Sequence, residues 1–181
     1  MRLPIDNNLL SKCIKIAASA HFGQVYERGI YGEPYILHPL RVMQNVAESP
    51  SCDPIKKILV KSVAVLHDVM EDTAWSEQQL TDADMLPEEI MIPLRLLTHK
   101  KTVPYEVYIE NLCINPIANL VKFADVSDNN FHLPQLADRD KAFRLRIKYN
   151  SARDFIMLHG HYDSCIWLTK PYEGDNDRVS T

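Results

Sequence analysis

The chain has 181 residues, of which 46% are apolar and 24% charged, with a formal net charge of −4. That size suits a single domain with a core of its own, and the acidic balance argues against a surface built to coat nucleic acid. Five glycines leave little material for a glycine-rich phosphate loop, and no stretch approaches the ~20 apolar residues of a membrane span.

The pattern is helical from end to end, with no clear alternating run to mark a strand. A first helix is predicted from Asn7 to Phe22, with Leu9, Leu10, Cys13, Ile16, Ala17 and Ala20 inward and Gly23 ending it. His38 opens a second, carrying Leu40, Val42, Met43 and Val46. Asp53-Pro54 starts a third, with Asp as cap and Pro in the first turn, and Ile55, Ile58, Leu59, Val63 and Leu66 lead to His67-Asp68.

Ser76 with Gln79 reads as a capping box for a short helix. Pro87 begins the next, which reaches Thr98-His99 and which Pro93 is expected to kink or delay. Pro104 to Cys113 forms another, and Asn115-Pro116 caps the one that holds Ile117, Leu120, Val121, Ala124 and Asp125. Asp138 or Asp140 opens a last long helix through Phe143, Ile147, Ala152, Phe155 and Leu158. The expected organisation is one all-α helical bundle over residues 1–170 and a polar tail over 171–181. Cys13, Cys52, Cys113 and Cys165 are widely spaced and form no CxxC pair. With no apolar leader segment, they read as reduced thiols of a cytoplasmic protein.

Chemistry concentrates at His67-Asp68. A carboxylate beside a histidine after a buried apolar run is costly unless something pairs with it, and a divalent cation is the natural partner. At about 100° per helical residue, His67, Asp68, Glu71 and Asp72 fall on one arc, and Lys122, Asp125 and Asn129 share another face. His38 supplies a second imidazole. Two His and two Asp leave positions open for water and substrate, as catalytic metals require. The mixed nitrogen and oxygen set suits Mn²⁺, and less well Fe²⁺, Mg²⁺ or Zn²⁺.

The order His38, His67-Asp68, Asp125 resembles the HD metal-dependent phosphohydrolase superfamily. Four segments narrow the likeness to the hydrolase domain of RelA/SpoT-type alarmone enzymes: Ala20-His21-Phe22-Gly23-Gln24, Gly32 to Leu40, Ala64 to Thr73, and Val121-Lys122-Phe123-Ala124-Asp125. The chain has no room for those enzymes' synthetase domain and looks like a stand-alone small hydrolase. The resemblance implies an HD-superfamily bundle that removes the 3′-pyrophosphate of ppGpp or pppGpp with Mn²⁺, through attack of a metal-bound water. It implies His38, His67, Asp68 and Asp125 as metal ligands, Glu71 and Asp72 as the pair that steers the water, and Asn129 as a contact to the nucleotide sugar. Relatives place an Arg two residues after the first motif's Gln; here that position is Tyr26, and the nearby base is Arg28. Arg28, Tyr35, Lys122 and Asn129 are the expected substrate contacts. The expected partner is a phosphorylated nucleotide, with no nucleic acid polymer and no membrane; the oligomeric state is open. Two other functions fit the same residues: hydrolysis of another phosphorylated nucleotide (an adenosine alarmone, NADPH or a nucleoside monophosphate), and a non-catalytic metal- and nucleotide-binding sensor.

Overall fold

The computed structural model describes residues 5–27, 32–48, 53–82, 86–161 and 166–168. Along them run α1 (Asn7–Ala20), α2 (Leu37–Asn45), β1 (Val46–Glu48), α3 (Pro54–Leu66), α4 (Val69–Asp72), α5 (Glu77–Asp82), α6 (Glu88–Leu97), α7 (Tyr105–Leu112), α8 (Pro116–His132), a 3-10 turn (Leu133–Gln135), α9 (Arg139–His159) and β2 (Ile166–Leu168). The domain is all-α, as its pattern implies. Arg28, Cys52, Cys165 and the tail 171–181 lie outside the described residues. Cys13 and Cys113 are buried free thiols, and no helix among the described residues is long and apolar enough to cross a membrane.

The helix starts follow local chemistry. Asp53 accepts from the Ile55 amide at 2.9 Å. Asn115 accepts from Ile117 and Ala118 at 3.0 and 2.9 Å, with Pro116 in the first turn. Ser76 and Gln79 form the reciprocal capping pair. Asp138 caps α9. Gly23 takes φ +78, a left-handed conformation that closes the exit from α1.

α3 is the hub. It packs against α1, α2, α6 and α8. Val60, Val63, Ala64, Val65 and Leu66 are fully buried. The C-terminal half of α3 is apolar apart from Lys61 and Ser62 and lies inside, and each buried Val or Leu there adds about 1.5–3 kcal/mol. Its apolar end delivers His67 and Asp68 into the middle of the domain. α8 crosses beside it, with apolar residues against α3 and α6 and a polar run, Asp125, Ser127, Asp128 and Asn129, that is buried as well.

Four local features differ from the sequence-based expectation. The helix does not run unbroken through His67-Asp68: α3 ends at Leu66 and α4 begins at Val69. The His67 Nδ1–H donates to the Ala64 carbonyl at 2.8 Å, so an imidazole occupies the region where the backbone ladder would continue. α6 starts at Glu88 and runs through Pro93 without delay. β1 and β2 pair antiparallel, Val46 with Leu168; three residues each is too short for an alternating signal. On α9, Phe143, Ile147 and Leu158 are exposed, while Tyr149, Ala152 and Ile156 are buried. Two apolar stripes compete on that helix, and docking against α8 and α7 selects the second.

Candidate metal centre

The site forms where the start of α2, the α3–α4 turn and the middle of α8 meet. Leu37 and His38 donate their amides to the Pro34 and Tyr35 carbonyls, which winds the first turn of α2 and buries His38 completely. The chain leading in is anchored by two backbone bonds, Tyr26 N–H to Glu33 O at 2.8 Å and Tyr35 N–H to Gln24 O at 2.9 Å.

His38, His67 and Asp68 place one ligand atom each within 4.8 Å of one another. His67 Nε2 lies 3.0 Å from Asp68 Oδ2, and His38 Nε2 lies 3.5 Å from the same oxygen. Asp125 Oδ1 approaches from α8, 3.2 Å from His38 Nε2 and 3.6 Å from His67 Nε2. Bonds of about 2.1 Å to a small divalent cation would set neighbouring donors about 3 Å apart. Both Nε2 atoms are buried without a hydrogen-bond partner among the described residues. Buried polar atoms are rarely left so.

The other ring nitrogens explain which atom faces the centre. His38 Nδ1 is bonded to Asp128 Oδ2 at 2.7 Å, and His67 Nδ1 to the Ala64 carbonyl at 2.8 Å. With the proton held at Nδ1, the Nε2 lone pair is the one free to coordinate, the usual arrangement of a metal-binding histidine with a carboxylate or carbonyl behind it. Arg41 in turn clamps Asp128 through Nε at 2.9 Å and also pairs with Glu33.

Charge is strongly coupled here. Burial opposes protonation of both imidazoles, but the surrounding carboxylates outweigh it. They hold His38 well above its ordinary value and His67 up to about 9. Burial likewise opposes ionisation of Asp68 and Asp125, yet His67 and His38 beside the first, and Lys122 with both histidines beside the second, hold them well below the carboxylate range. The two carboxylates are thus ionised and the two imidazoles hold protons that a cation would replace. The residues fit a divalent metal.

Glu71 and Asp72 stand at the solvent side of this cluster. Glu71 Oε2 accepts from the His99 backbone N–H at 2.9 Å, which fixes the carboxylate from the α6–α7 connection. Burial pushes its pKa up. Burial and the Asp68 charge do the same for Asp72. The Tyr35 hydroxyl bridges Asp68 Oδ2 at 2.7 Å and Asp72 Oδ2 at 3.0 Å. Burial and those charges raise its pKa, so it remains a donor. His21 stacks on Tyr35 with ring centroids 4.7 Å apart and is held by Gln24. It supports the site from behind.

Lys122 Nζ donates to Asp125 Oδ2 at 2.8 Å. Asn129, expected at the nucleotide sugar, is 7% exposed. It donates to Asp125 Oδ1 at 2.5 Å and accepts from the Tyr26 hydroxyl at 2.8 Å. Asp128, Arg41 and the His99 amide were not singled out from sequence. Asp128 lies three residues beyond Asp125 on the same helix, a spacing that marks a shared face but cannot name His38 as its partner.

No family model matches the chain and no curated protein matches it by sequence. A solved structure does match, that of a metazoan ortholog of SpoT that hydrolyzes ppGpp and plays a role in starvation responses. The TM-score is 0.68 at 21% identity, over 87% of this chain and 90% of that one. The chain therefore shares the fold of that ppGpp-hydrolyzing protein over 87% of its length.

Proposed function

We propose that this protein is a metal-dependent phosphohydrolase that removes the 3′-pyrophosphate of (p)ppGpp-like nucleotides. The observation that carries the reading is the pair of buried, unpartnered Nε2 atoms of His38 and His67 beside Asp68 and Asp125. The fold it shares with a ppGpp hydrolase supports the substrate class.

His38, His67, Asp68 and Asp125 would hold the cation, with Mn²⁺ favoured by a nitrogen–oxygen set. When bound, it supplies a water of lowered pKa and positive charge against the phosphoryl oxygens. Glu71 is the proton acceptor. Its raised pKa makes it the stronger base, and the His99 amide fixes its direction. Asp72, tied through Tyr35 to Asp68, orients the attacking water. The water oxygen bonds to phosphorus as Glu71 takes its proton, the bond from phosphorus to the 3′ oxygen breaks, the 3′ oxygen takes up a proton from Glu71 or solvent, and pyrophosphate leaves the nucleoside 5′-di- or triphosphate. Lys122 and Tyr35 are proposed to meet the phosphates from the cleft side, with Arg28 as the further basic contact.

The test is release of pyrophosphate and GDP from ppGpp by purified protein with and without Mn²⁺. Mn²⁺-dependent release of both products is expected. Bound Mn²⁺ with intact ppGpp would sink the substrate assignment.

A further inference from the structure

The geometry points to Tyr26 as a positioning residue that acts on two ligands of the metal centre at once, His38 by stacking and Asp125 through Asn129. The inference rests on the metal-centre reading above.

Tyr26 is 1% exposed, among the largest fully buried side chains of the domain. Its ring lies parallel to the His38 imidazole, with centroids 5.1 Å apart and planes 6° apart. On its edges it meets Tyr35 and His132, each at 5.8 Å, and the Arg41 guanidinium sits 5.2 Å from its centroid. His38 therefore cannot swing away from the centre without displacing a packed aromatic ring.

The hydroxyl does a second job. It donates to Asn129 Oδ1 at 2.8 Å, which commits the amide oxygen to Tyr26 and turns the NH₂ group toward Asp125. Asn129 Nδ2 then donates to Asp125 Oδ1 at 2.5 Å. That oxygen is the one nearest both imidazoles, while Oδ2 is taken by Lys122. A hydrogen bond to a ligating carboxylate oxygen fixes its lone-pair direction, and such supports govern metal affinity.

The experiment measures Mn²⁺ affinity by titration for wild type, Tyr26→Phe, Asn129→Ala and the double variant, together with the melting temperature of each metal-free protein. Tyr26→Phe keeps the ring and removes the hydroxyl. It should weaken Mn²⁺ binding about tenfold, the low end for an outer support. Because the buried Asn129 Oδ1 loses this donor, the variant's metal-free melting temperature should fall by a few degrees. In the Asn129→Ala background the same change should have little further effect, because the two act in series. Equal Mn²⁺ affinity of Tyr26→Phe and wild type would overturn the inference. So would an equal loss of Mn²⁺ affinity from Tyr26→Phe in both backgrounds, because the two residues would then not act in series. Wild type that binds no Mn²⁺ would overturn the metal-centre reading and this inference with it.

Discussion

Asp128 Oδ2 meets His38 Nδ1 at 2.7 Å and joins α8 to α2 behind the metal centre. The contact holds Nδ1, so Nε2 is the imidazole nitrogen that would face a cation. Because Arg41 holds Asp128 from the far side at 2.9 Å, it is rigid as well as short.

Asp128→Asn should therefore weaken Mn²⁺ binding by about 10–100-fold, since the amide can present a donor where the carboxylate only accepts. Mn²⁺ titration of the variant measures this. Unchanged affinity would mean that the His38 tautomer is set by something else.

Asp68→Ala should abolish both Mn²⁺ binding and hydrolysis. Glu71→Gln should keep Mn²⁺ and lose about 10²–10⁴ in turnover, the usual range for a removed general base. Titration and single-turnover rates distinguish the two. Full metal-dependent activity in Asp68→Ala would show that the cation is held elsewhere.

Mn²⁺ affinity should rise steeply with pH. Without a cation, His67 titrates at about 9 rather than 6.5. At neutral pH the incoming metal must displace a proton, which it need not do in more alkaline solution. Calorimetry at pH 7 should give apparent enthalpies that change with the ionisation enthalpy of the buffer. Buffer-independent values would contradict proton release.

The same histidine makes metal-free stability fall with pH. Its folded pKa lies above its unfolded value, so its contribution is fully present below about 6.5 and is lost as pH rises through 9. Thermal melts of metal-free protein across pH 6 to 10 should show that decline. A rise in melting temperature over the window would rule out a protonated His67.

Asn115→Ala removes both side-chain bonds to the first amides of α8. A lost cap costs about 1 kcal/mol, which for a chain of this size lowers the melting temperature by about 2–4 °C. Mn²⁺ affinity should hardly move, because Asn115 lies more than two turns from Asp125. A melting temperature equal to wild type would show that the cap carries no net weight.

The sequence by itself determined most of the helix starts and which His and Asp residues are candidates to hold a cation. Caps such as Asp53, Asn115 and Asp138 act within a few residues of themselves, so their chemistry is complete in the local string. The apolar run before His67-Asp68 likewise announces burial of the pair, and buried His with Asp implies a cation. Only the tertiary structure decided what stands behind each ligand. Asp128 on His38, the His99 amide on Glu71 and Tyr26 on Asn129 join segments from 28 to 103 residues apart. Periodicity tells which face of a helix turns inward but not which side chain of another element it meets there. On α9, where two apolar stripes were available, docking against α7 and α8 chose between them. Ligand identity is a property of residue type and order, whereas ligand orientation is set by packing between distant elements, and it exists only once they have docked.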